Sequence, residues 1–159
     1  MSARNRQLEF VHCKVTNLWR RGSDQEARKT LEELGGATYI QQELATSELE
    51  DAVTTRDSLA DIALIWWKLT GNDWARITAQ ELFRSNVGFG GWYEVHATYV
   101  LAYLTASVPP TTDEIRAQVR NLRNVRHLTT DDETANRLAD MAQHLGELYF
   151  RRCHDENSL

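Results

Sequence analysis

The side chains best suited to chemistry here are cations at helical spacing. In EIRAQVRNLRNVRHL, residues 114–128, Arg116, Arg120, Arg123 and His127 recur every three or four residues, with Ile115, Val119, Leu122 and Val125 beside them. On a helix the first set forms a ridge and the second an apolar stripe about a quarter turn away. No acid follows Glu114 until Asp131, so pairs within the helix cannot neutralise the ridge. Guanidinium groups bind phosphates and carboxylates through paired N–H donors. The ridge therefore suits an acidic protein segment, such as ELATSELED at residues 43–51 of this chain or a neighbouring copy, or else a nucleic-acid backbone. A formal net charge of −5 makes the protein partner the expectation and nucleic acid the alternative.

A second set is aromatic. Trp92, His96, Tyr99 and Tyr103 fall at i, i+4, i+7 and i+11, with Val95 beside them, and so line one helix face. Such a stripe either stacks on a planar ligand, with His96 and the tyrosine hydroxyls reading its polar edge, or packs into the core with its polar tips at the rim. Trp67 lies off the main apolar face of LADIALIWWKL, residues 59–69. An indole in that position calls for a partner helix or a ligand.

Three further patterns carry less. His12 with Cys13 and Cys153 with His154 offer the ligand types of a zinc site, but neighbouring residues on a helix point about 100° apart, which makes ligation by both pairs awkward. The run Gly88, Phe89, Gly90, Gly91 follows a helix rather than a strand and lacks a Gly-Lys-Ser/Thr ending, so it reads as a joint between helices rather than a phosphate cradle. No convincing nucleophile and base pair stands out, because many Ser and Thr residues fall at helix starts.

Those starts define the elements. Ser23 to Glu26, Ser47 to Glu50, Thr111 to Glu114 and Thr130 to Glu133 all match the capping box, in which a hydroxyl caps the helix and a Glu three residues on reaches back. Gly22, the Gly35, Gly36 pair, Gly71 and Gly88 fit helix ends, and Pro109 and Pro110 break the chain before Thr111. The pattern predicts helices near 4–21, 24–34, 37–45, 48–53, 56–70, 73–86, 91–106, 112–127 and 131–152. No segment shows clean two-residue alternation. The expectation is an all-α, single-domain bundle over residues 1–159, with residues 59–69 as a central helix. Residues 59–69 and LADMAQHLGEL at 138–148 share Leu-Ala-Asp, the following Ala and the final Leu, a faint sign of duplication.

Composition sets the setting. At 159 residues and 42% hydrophobic content the chain can bury one good core. Its charge-free stretches are shorter than the roughly 20 residues needed to span a bilayer. The N-terminal residues show no apolar signal core, and two cysteines do not make a disulfide scaffold. A cytoplasmic protein with no membrane partner is expected.

One local resemblance adds a reading from another class. LEELGG at residues 31–36 and DSLADIALIWWKLTGNDW at residues 57–74 resemble the MazG-like all-α nucleoside triphosphate pyrophosphohydrolases. The likeness implies that Glu32, Glu33 and Asp61 are acids on neighbouring helices that hold Mg²⁺ for attack of water on a nucleotide. The chain departs from the family pattern where Gly36 replaces the final Glu of the first motif and Ser58 interrupts the second, although Asp57 stands close by. Taken together, the residues favour a protein without a cofactor that acts by association, as a homo-oligomer or as a subunit of a larger complex. A Mg²⁺-dependent pyrophosphohydrolase and a nucleic-acid-binding subunit are the alternatives.

Overall fold

Helix boundaries follow glycines and caps closely. The computed structural model describes residues 3–46, 52–87, 91–105, 111, 113–114 and 117. Among these there are six helices and no strand: α1 (Ala3–Arg20), α2 (Asp24–Leu34), α3 (Ala37–Thr46), α4 (Ala52–Thr70), α5 (Asp73–Asn86) and α6 (Gly91–Thr105). The fold is all-α, as expected.

Three connections turn on glycines in the left-handed region. Gly22, Gly35 and Gly71 have φ of 83°, 118° and 75°. Gly35 and Gly36 close α2 by donating their N–H groups to Glu32 and Leu31 carbonyls. This is the backbone pattern that satisfies the last orphan carbonyls of a helix.

Caps are realised unevenly. Thr111 and Glu114 make the full reciprocal box: the Glu114 N–H donates to Thr111 Oγ1 at 3.2 Å and the Thr111 N–H to Glu114 Oε2 at 3.1 Å. Ser23 precedes α2 but its side chain makes no cap bond; its hydroxyl instead accepts from Arg21 Nε at 3.4 Å. The Ser47 and Thr130 boxes lie outside the described residues. A cap that the Ser/Thr pattern missed sits at Asn72, whose Oδ1 accepts the Ala75 N–H at 3.1 Å. Asn72→Ala should therefore cost about 1 kcal/mol, seen as a lower urea midpoint with an unchanged slope.

The expected break between helices at 48–53 and 56–70 is corrected within the described residues: α4 runs unbroken from Ala52 to Thr70. Thr54 and Thr55 have weak helical preference, but no Gly or Pro interrupts residues 52–70 and Thr55 is buried, so packing carries the helix through them.

By backbone contacts the chain divides into two units, Met1–Leu82 and Phe83–Leu159. In the first, α4 packs against α1, α2 and α3, which makes it the central helix. Leu59, Ile62, Leu64 and Ile65 are fully or almost fully buried, and α1 supplies Leu8, Val11, Val15 and Trp19. Leu64, two residues and so about 200° around the helix from Ile62, is as buried as Ile62 because neighbouring helices cover α4 on more than one side. In the second unit Phe83, Val95, Ala97 and Val100 are buried. No helix among the described residues is long and apolar enough to cross a membrane.

Candidate functional site

A helix buried on several sides has little room for charge, yet α4 carries two acids one turn apart. Asp57 and Asp61 occupy the i and i+4 positions that share a helix face, and they are 6% and 2% exposed. Buried carboxylates need partners, since removing a charge from water costs several kcal/mol per ion. His12 of α1 supplies one: its Nε2 donates to Asp61 Oδ2 at 2.7 Å, and its side chain is 17% exposed. One ligand-type atom from each of His12, Asp57 and Asp61 lies within 4.8 Å of the others. Thr16, one turn along α1, donates its hydroxyl to the His12 carbonyl at 2.7 Å and helps fix that stretch of backbone.

The electrostatics of the site favour a charged imidazole. Burial works against the proton on His12, but the hydrogen bond to Asp61 and the charges of Asp61 and Asp57 outweigh both burial and the opposing charge of Arg20, so its pKa is raised above the ordinary 6.5. A raised folded-state value means that the pair's contribution is fully present below the unfolded value of about 6.5 and is lost as pH rises through the folded value. For chelator-treated protein, the denaturation midpoint should fall more steeply as pH rises above about 6.5 in the wild type than in His12→Gln. Equal slopes in the two proteins would mean that His12 does not carry the dependence.

Glu32 and Glu33 are exposed on α2, and Glu32 accepts from Arg28 Nε at 2.7 Å. Among the described residues, the structure groups Asp61 with His12 and Asp57, not with Glu32 and Glu33. Helix α2 turns its two glutamates outward because Ala27 and Leu31 form its buried face. Glu32 instead lines an open groove of about 530 Å³ with Arg28, Gly36, Trp66 and Asn72.

Trp67 is half-buried, and the Lys68 ammonium lies 5.1 Å from the centre of its ring. In the second unit, His96 is 1% exposed, stacked on Trp92 with centroids 5.4 Å apart and met edge-on by Phe83 at 5.8 Å. His96 thus belongs to the interior rather than to an open binding face. Tyr99 and Tyr103 lie on α6, and their side chains are outside the described residues, as are Arg116, Arg120, Arg123 and His127. Cys13 is exposed and free, while Cys153 and His154 also fall outside the described residues.

Sequence reasoning missed the partnership of His12 with Asp61. The available signal was Asp57 and Asp61 at helical spacing, with Asp61 inside the apolar run from Leu59 to Trp67, where a buried acid calls for a cation or proton donor from another helix. Compared with known proteins, the chain matches no family model, no curated protein and no solved structure. The resemblance to pyrophosphohydrolases therefore remains a likeness of two short motifs.

Proposed function

We propose that the protein acts by association with a second copy of itself, through the outer face of α1. The observation that supports this reading is Phe10, which is 67% exposed on a helix whose opposite side is buried. Around it Arg6, Glu9, Cys13, Lys14 and Asn17 are exposed too. This face carries both signs of charge at fixed offsets. In an antiparallel contact of two such helices, Glu9 of each copy meets Lys14 of the other while Phe10 packs over the short Cys13 side chain. A two-fold interface needs a patch that is complementary to itself in this way. An apolar side chain ringed by polar ones also matches the anatomy of an interface core and rim.

A cytoplasmic setting belongs to this proposal, since there Cys13 stays a thiol and the contact does not depend on a disulfide. The ridge at Arg116, Arg120 and Arg123 adds a second contact for an acidic protein partner under the same reading.

Self-association is tested by charge exchange. Lys14→Glu should convert dimer to monomer in sedimentation velocity, and Glu9→Lys combined with Lys14→Glu should restore the dimer, because the complementarity is inverted but kept. A double variant that remains monomeric while the wild type is dimeric would place the contact elsewhere.

A further inference from the structure

The structure assigns His12, Asp57 and Asp61 as a binding site for one divalent transition-metal ion that clips α1 to α4. This inference is independent of the association reading, because the site is buried and the proposed interface is on the outside of α1.

The donor set identifies the class of ion. One imidazole nitrogen and two carboxylate oxygens make a mixed nitrogen and oxygen set, which suits zinc and neighbouring first-row ions. Mg²⁺ prefers oxygen ligands and retains several waters, so a nitrogen-containing, largely dry site discriminates against it. The ligand atoms already lie within 4.8 Å of one another. Two ligands on a tetrahedral zinc ion at about 2.0–2.1 Å from the metal are about 3.3 Å apart. The His12 Nε2 to Asp61 Oδ2 separation of 2.7 Å then has to open by only about half an ångström, as the ion replaces the shared proton. The Asp57 oxygen, within 4.8 Å of the other two ligand atoms, has to close by up to about 1.5 Å to reach the same spacing.

Two carboxylates balance the charge of a dication, and they do so against the opposing positive charge of Arg20, which bears on His12. Three protein ligands leave a fourth position for water, which distinguishes an open site from a closed structural one. Access to solvent runs past His12, the most exposed of the three residues.

The ligands come from helices that are 45 to 49 residues apart in the chain, so an ion held here ties the first unit together across its central helix. Binding to the folded state alone must then raise thermal stability with the logarithm of ion concentration once this exceeds the dissociation constant. Cys13, next to His12 but exposed, is not part of the site.

The test uses the full chain after treatment with chelator. Zn²⁺ titrated by calorimetry should bind with one site per chain, and Mg²⁺ at the same concentration should not displace it. Co²⁺ should give visible absorption bands of a nitrogen- and oxygen-ligated ion without the near-ultraviolet charge-transfer band of a thiolate. Asp57→Asn and Asp61→Asn should each weaken Zn²⁺ binding at least tenfold, and Cys13→Ser should leave it unchanged. Binding that survives both Asp variants, or that disappears in Cys13→Ser, overturns the assignment. If the Asp variants do not fold, the wild-type melting temperature decides: it should rise with added Zn²⁺ and not with Mg²⁺, and no difference between the two ions refutes the site.

Discussion

Gly36→Ala should lower folding stability by about 2–5 kcal/mol, while Gly71→Ala should cost only about 1–2 kcal/mol. Both glycines have left-handed backbones, with φ of 60° and 75°, so both substitutions carry the strain of placing a Cβ in that region. Their surroundings differ. A Cβ on Gly36 would stand 2.7 Å from Trp66 Cζ2 and 3.0 Å from Cη2, whereas a Cβ on Gly71 would meet nothing within 4 Å. Trp66 is a rigid ring only 9% exposed, so it cannot swing aside as a flexible chain end would. The α2 to α3 turn or the ring must shift, and either move disturbs the packing around α4. Urea unfolding of the two variants side by side separates strain from clash. Equal losses would show that the ring accommodates the methyl group and that backbone strain alone governs both sites.

Breaking the His12 and Asp61 pair from one side should be the other large effect. Asp61→Ala leaves a buried imidazole whose proton has lost its main partner, and truncations of this kind cost about 3–5 kcal/mol. His12→Leu leaves the Asp61 carboxylate without its imidazole donor and should fall in a similar range. Replacing both together by leucine should cost clearly less than the sum, since an apolar pair of comparable size often substitutes for a buried ion pair with little loss. A double-mutant cycle on chelator-treated protein isolates this coupling. Additive single effects would mean that the 2.7 Å contact contributes nothing of its own to stability.

Much of the architecture was legible because helix punctuation is local. Gly22, Gly35 and Gly71 mark helix ends in the sequence, and each adopts the left-handed geometry that only glycine reaches cheaply. The Thr111 and Glu114 box could be read for the same reason, since both partners lie within one turn. Ser23 shows the limit of such a motif: Arg21, two residues earlier, engages its hydroxyl, and nothing in the four-residue pattern encodes that competition. Helix α4 shows another limit, because burial of Thr55, Asp57 and Ser58 holds together a stretch that local propensity suggested breaking.

The candidate site was legible only in part. Asp61 drew notice through its motif, but its partner His12 is 49 residues earlier on α1, and that pairing depends on how the two helices pack. Helical spacing placed Glu32 and Glu33 on α2 without revealing which side faces inward; Ala27 and Leu31 decide that, and the glutamates point to water. His96 illustrates the same ambiguity from the other side. Its spacing with Trp92 fits a ligand face and a core stripe equally well, and the structure puts it in the interior of its unit.

The most direct measurement of the association proposal is native mass spectrometry of the wild type and Phe10→Glu, purified side by side at low salt. The expected result is a two-chain mass for the wild type and the single-chain mass of 18.3 kDa for Phe10→Glu, with unchanged helical circular dichroism in both. A wild type that stays at the single-chain mass up to its solubility limit, or a Phe10→Glu protein that keeps the two-chain mass, would contradict self-association through α1.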